Sequence, residues 1–222
     1  RGMSEFDLKA HCGRLRESTQ EMGACYLLTD GIIHGLNLGS QPTLQLFFYL
    51  HQVPITMSPV AENAVYSLFS DNAFPNLYRR GLNVSLSTDN PLQLHMTPEP
   101  LVEEYSIAAE MYELSNAELC EIARNSVLMS GFEHYRKVEW VGEDYFLSTH
   151  VGNEADRTNV PDIRIEFRRA TRKAVLEYLH SLAILHREDG TIAQDIFHKE
   201  HVPSEVVNRL LRKISLVASH VG

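Results

Sequence analysis

At 222 residues, with 44% apolar content and a net charge of -9, the chain can bury a core but carries no basic stripe of the kind that follows a phosphate backbone, which argues against nucleic acid as a partner. No apolar run approaches the ~20 residues that a bilayer span needs, and the opening "RGMSEFDLKAH" has no signal-peptide core, so a cytoplasmic location is the expectation. Cys12, Cys25 and Cys120 are odd in number and lack C-x-x-C spacing, which argues against a disulfide framework or a thiolate zinc knuckle and favours reduced thiols.

In chain order, "FDLKAH" (6–11) alternates like a strand and ends at His11. "DGIIHG" (30–35) is a short apolar pair ending at His34 between two turn glycines, and "QVPITMSP" (52–59) is β-branched and ends at Ser58 and Pro59. "LNVSLSTD" gives a fourth strand, ending at Asp89; Pro91 cannot donate to a ladder, so the chain must leave the sheet there. Helical spacing fills the gaps at 15–28, 42–52 and 63–81, the last interrupted by Pro75. Strands recurring at the length of one βα unit point to a parallel sheet.

Beyond Pro91 the reading is mostly helical. "PEPLVEEYSIAAEMYEL" starts on prolines suited to a first turn, and "SNAELCEIARNSVLMSG" has a capping box from Ser115 to Glu118. Residues 132–162 read as an extended loop. Helix resumes from Asp162 to His186, and "PSEVVNRLLRKISLVASH" is a last amphipathic helix, so the chain divides into a catalytic-type domain at 1–186 and a helical extension at 187–222. Glu103 and Glu104 read as a solvated helix face, His95 as a loop histidine with a structural role or, alternatively, one that approaches a ligand, and Phe47, Phe48 and Tyr49 as helix-to-sheet packing.

Two parallel architectures fit, a doubly wound open sheet and a (β/α)8 barrel, and in both the site lies at the carboxyl ends of the strands. That is where His11, His34 and Asp89 fall. Histidine and aspartate suit Zn²⁺, and a zinc site with an open position lowers the pKa of bound water, so metal-assisted hydrolysis follows as a reaction class. The competing account is three cap and turn residues meeting by chance.

The strings "IIHGLNL", "MSPVAEN", "SLSTDNPLQLH", "EPLVEEYSIAAE", "ARNSVLMSGF" and "RTNVPDIR", in that order after "HCG", resemble the carboxyl-terminal half of the catalytic domain of AMP deaminases. The resemblance implies strands five to eight of a (β/α)8 barrel and zinc-dependent conversion of AMP and water to IMP and ammonia. It implies that His11 and Asp89 bind zinc, that His34 and Asp89 are catalytic, with His34 orienting the attacking water, and that Asn90 and Gln93 contact the substrate. A homo-oligomer, or an amino-terminal half supplied from elsewhere, is the implied partner.

The sequence departs from the family pattern in several places. Arg14 stands where the family has a glutamate that protonates the purine ring, and a guanidinium cannot be a general acid near pH 7. Glu17 is the alternative, a displaced acid. Asn90 replaces the second aspartate of the Ser-Thr-Asp-Asp element, no His-x-His element is present for the other zinc ligands, and "SPVAENA" alters the nucleotide contacts expected at Ala61 and Glu62. The expectation is therefore a deaminase segment impaired on its own, the alternative being a non-catalytic paralogue that binds nucleotide or pairs with an active subunit.

Overall fold

The computed structural model describes residues 7–14 and 19–188. The four expected strands form, shorter than the apolar runs that announce them: β1 Lys9–Cys12, β2 Gly31–His34, β3 Ile55–Met57 and β4 Val84–Leu86. They make one parallel sheet in the order β1-β2-β3-β4. That order chooses between the two candidate architectures. A doubly wound sheet reverses direction at a switch point, whereas strands laid side by side in chain order are the arc of a (β/α)8 barrel. The chain is half such a barrel.

Helices α1 Thr19–Leu28, α2 Pro42–His51, α3 Pro59–Val65 and α4 Phe74–Arg79 follow the first three strands. Pro75 opens α4 instead of breaking a longer helix, since its missing N–H costs nothing in a first turn. The face of the sheet turned to these helices carries Ile32, Ile55, Met57, Val84 and Leu86, packed with Met22, Phe48, Phe74, Leu77 and Tyr78 into a continuous core. Each such side chain contributes about 1.5–3 kcal/mol by leaving water. Phe48 is buried as expected, but Phe47 is exposed.

Past β4 come the short α5 Pro91–Leu94, then α6 Pro100–Tyr112 and α7 Asn116–Leu128. The capping box on α7 is present in full: Ser115 accepts from the Glu118 N–H, and the Glu118 carboxylate accepts from the Ser115 N–H. Helix α7 runs beside β4, where Asn125 donates to the Val84 carbonyl at 3.4 Å, and the Met129 sulfur just beyond the helix accepts from Ser85 Oγ at 3.1 Å. An edge strand thereby gains a cover.

Three expectations are corrected. Residues 132–162 are not an extended loop: α8 His134–Val141 and α9 Ala155–Thr158 form within them. Asn153 Nδ2 donates to the Val160 carbonyl and to Asp162 Oδ1, and Arg157 Nη1 donates to the carbonyls of Val138 and Glu139, so polar side chains tie the turns of this segment together, while α8 buries Val141 on its apolar side. Cys12 and Cys25 form a disulfide, not free thiols, because Cys12 closes β1 on the face against which α1 packs; Cys120 stays free. Glu104 is buried and not solvated, since α6 turns it toward the chain entering α3.

The last helix, α10, spans Asp162–Glu188. The helix expected from residue 203, most of the 187–222 extension, and Glu17 lie outside the described residues. None of the described helices is long and apolar enough to cross a membrane.

Candidate active site

Parallel pairing sets Cys12 opposite His34 and His11 opposite Ile33. Along β1, Cys12 points into the core, so alternation sends His11 to the other, open face. Alternation along β2 would leave His34 on the same side as Ile32, facing the helices. Instead His34 has a φ of 79°, in the left-handed region where a non-glycine residue is uncommon. The turn breaks the alternation and brings the His34 Nε2 atom to 3.2 Å from His11 Nδ1. Gly13 and Gly35, at φ 67° and 68°, make the matching turns, and a Cβ on Gly13 would meet the Met22 sulfur at 2.6 Å.

Asp89 completes the group, with its Oδ2 atom 3.7 Å from His34 Nε2. Three residues far apart in sequence thus meet at the carboxyl end of the strands. His34 is fully buried, while the Asp89 side chain keeps 23% of its surface open. Asn90, also at positive φ, is exposed at the start of α5, where its backbone carbonyl accepts from the N–H groups of Gln93 and Leu94. Gln93 is exposed on α5, and its side chain makes no hydrogen bond to the cluster among the described residues.

Arg14 Nη2 donates to His11 Nδ1, and its guanidinium lies 5.8 Å from the centre of the Tyr66 ring. Burial, then the charge of Arg14, then the neighbouring His34 hold His11 below the ordinary histidine pKa, against the opposing pull of Asp89.

Sequence reasoning missed the support behind His34. Glu62, on α3, is fully buried; its Oε1 atom accepts from His34 Nδ1 at 3.2 Å and from the Ser58 N–H at 3.2 Å, and its Oε2 atom accepts from Asn72 Nδ2 at 2.8 Å. A carboxylate on one ring nitrogen fixes the orientation of the other. Beside it Glu104 accepts from the Val60 N–H at 2.8 Å and lies 2.8 Å from His95 Nε2, which gives His95 a partner inside the fold. Burial pushes the Glu104 pKa up. A glutamate inside a helix that directly follows a strand's end was the available signal.

The donor types fit zinc in part. His11 and Asp89 are suitable ligands and converge, yet among the described residues no group of three or more His, Cys, Asp or Glu side chains is arranged to hold a metal ion. The remaining donors would have to come from outside these residues.

The AMP deaminase family model matches residues 1–184. The chain belongs to that family. It is 48% identical over 180 residues to a protein described as a probable AMP deaminase from Oryza sativa subsp. japonica, covering 81% of this chain and 22% of that protein. It is also 48% identical over 183 residues to AMP deaminase of Saccharomyces cerevisiae, covering 82% of this chain and 22% of the relative. The chain therefore spans less than a quarter of the length of these curated relatives. Among solved structures, an adenine deaminase from Arthrobacter aurescens superposes with a TM-score of 0.52 at 24% identity, over 59% of this chain and 40% of that one, which supports the barrel fold.

Proposed function

We propose that this AMP deaminase family chain forms the carboxyl-terminal half of a zinc-dependent AMP deaminase site, hydrolysing AMP to IMP and ammonia in purine nucleotide metabolism when an amino-terminal half, from a longer chain or another subunit, closes the barrel. The observation that carries the reading is the convergence of His11, His34 and Asp89 from three strands on one open strand-end face. His11 and Asp89 would hold the ion, and Zn²⁺ bound there would supply an acidified water as nucleophile near neutral pH. Glu62 fixes the His34 ring so that Nε2 faces the site, where it can orient the attacking water and hold its proton. Asn90 and Gln93, at the rim on α5, are the side chains proposed to meet the purine. The compartment proposed is the cytoplasm.

Arg14 favours a second reading. A guanidinium against His11 puts a permanent positive charge beside the proposed ion and removes the family's ring-protonating acid. A chain so altered would serve as a nucleotide-binding or partner subunit.

Joining the chain to the amino-terminal half of a related deaminase separates the two. Ammonia release from AMP, lost in His34→Ala, supports the enzyme. A folded, AMP-binding chimaera that releases none supports the partner subunit. By itself the chain should hold zinc weakly and lose it on dialysis; stoichiometric zinc after dialysis, abolished in Asp89→Ala, would show that it completes its own site.

A further inference from the structure

A cavity of about 250 Å³ opens between α7, α10 and the turns that lead into β3 and β4. It lies at the amino-terminal ends of those strands, away from the His11–His34–Asp89 group. Four arginines line it, Arg124, Arg168, Arg169 and Arg172, together with Asn125 and Ser148.

The four cations are not equivalent. Arg168 is bonded to Glu121 at 3.0 Å, and Arg169 to Glu166. Arg124 and Arg172 have no carboxylate partner among the described residues. Arg124 donates Nη2 to the Gly152 carbonyl at 2.9 Å, yet its Nε is buried without an acceptor. The one carboxylate in the wall, Glu121, is already engaged by Tyr78, Arg164 and Arg168. Burial lowers the pKa of both Arg124 and Arg172, only partly opposed by Glu121 and Tyr49 respectively. An arginine cannot relieve such a cost by losing its proton near neutral pH; an anion can offset it.

Two uncompensated guanidiniums call for two negative charges. A phosphoryl group is largely dianionic at neutral pH, with its second pKa near ~6, and its oxygens match the planar guanidinium fork. The volume admits such a group with several waters, each needing about 30 Å³. We infer that this cavity is a binding site for a phosphoryl dianion, either inorganic phosphate or the phosphate end of a small ester, held by Arg124 and Arg172 at the end of the strands opposite the catalytic group. The inference does not depend on the chain being a deaminase.

Calorimetric titration of the full chain with inorganic phosphate and with glycerol 3-phosphate, at constant ionic strength in chloride, tests it. The expected result is saturable one-site binding of at least one of them, weakened tenfold or more in Arg172→Gln and in Arg124→Lys. Arg172 is partly exposed and has no carboxylate partner among the described residues, so its replacement should leave the circular dichroism spectrum unchanged. Tighter binding of phosphate identifies a free-anion site, and tighter binding of the ester an ester site; both support the inference. As a second measurement, phosphate should slow phenylglyoxal modification of Arg172, followed by mass spectrometry. Absence of saturable binding up to about 10 mM, an affinity too weak to matter, would overturn the inference, as would binding that both variants leave intact or no protection of Arg172.

Discussion

The two ends of the barrel strands treat buried carboxylates in opposite ways. At the amino-terminal end Glu121 collects everything it needs from this chain: Arg164 Nε at 2.6 Å, Arg168 Nε at 3.0 Å and the Tyr78 hydroxyl at 2.5 Å, tying α4, α7 and α10 together. At the carboxyl end Glu62 and Glu104 face histidines, and nearby the His95 Nδ1, Tyr112 hydroxyl and Arg14 Nε atoms, like Arg124 Nε at the other end, are buried without hydrogen-bond partners among the described residues. Burial and the nearby charges of Glu62 and Glu104 also raise the Tyr112 pKa. The amino-terminal clasp is completed by this chain's own side chains, whereas the His11–His34–Asp89 group faces an open strand-end surface, with 23% of the Asp89 side chain exposed.

The comparison is sharpened most by altering the carboxyl end. In a barrel closed by the amino-terminal half of a related deaminase, Arg14→Glu should raise ammonia release from AMP by at least tenfold, since a placed general acid contributes ~10²- to 10⁴-fold. Asn90→Asp should add to this, though not additively, because both act on one intermediate. Glu17→Gln is the control for a displaced acid. Full activity with Arg14 present and no response to Glu17→Gln would mean that the ring proton comes from elsewhere.

At the other end the effect should be on stability. Removing the charge of Glu121 strands Arg168 and leaves Arg164 only its 3.5 Å contact with Glu118, and breaking a buried pair costs about 3–5 kcal/mol; urea unfolding of Glu121→Gln should show a loss of that order. A loss under about 1 kcal/mol would mean that the clasp is merely a surface pair.

That difference should depend on pH. Burial pushes the Glu121 pKa up, but the hydrogen bonds and charges of Arg168, Tyr78 and Arg164 outweigh it and leave the pKa below the ordinary carboxylate value. A depressed folded pKa means stability that is complete above the unfolded value and lost as pH falls through the folded one. The gap between the wild-type chain and Glu121→Gln should be flat near neutrality and close below about pH 4.5. A gap that widens on acidification would reverse the assignment. The smallest effect belongs to the α7 cap: Ser115→Ala should cost about 1 kcal/mol, read as a lowered unfolding midpoint.

The four strands, the helices between them and the α7 cap were legible because each rests on local chemistry: β-branched runs, a proline that ends pairing, a serine three residues before a glutamate. His11, His34 and Asp89 could be named for the same reason, as polar residues at strand ends. The role of Glu62 was not legible, because it depends on where α3 sets a side chain relative to His34 on β2, 28 residues earlier. Nor was α9 legible, a single turn tied by Arg157 to the carbonyls of Val138 and Glu139, whereas α8 does carry an amphipathic pattern around Val141, obscured in the sequence by the Gly142, Gly152 and Pro161 that flank it. The Cys12–Cys25 bond escaped a count of cysteines, since only the packing of α1 on β1 brings the two together.

Because the strand order follows the chain, the sheet can be laid down in the direction of synthesis, each strand docking on the one made just before it. Ribosomes add ~5–20 residues per second, slowly enough for a strand to pair before the next emerges. Asp89 is the last of the three cluster residues to be made. A nascent chain arrested just before it would possess all four strands and both histidines, and could bury much of its core, while still lacking the carboxylate that closes the group. Assembly of the scaffold and arrival of its chemistry are separate events in the life of the polypeptide.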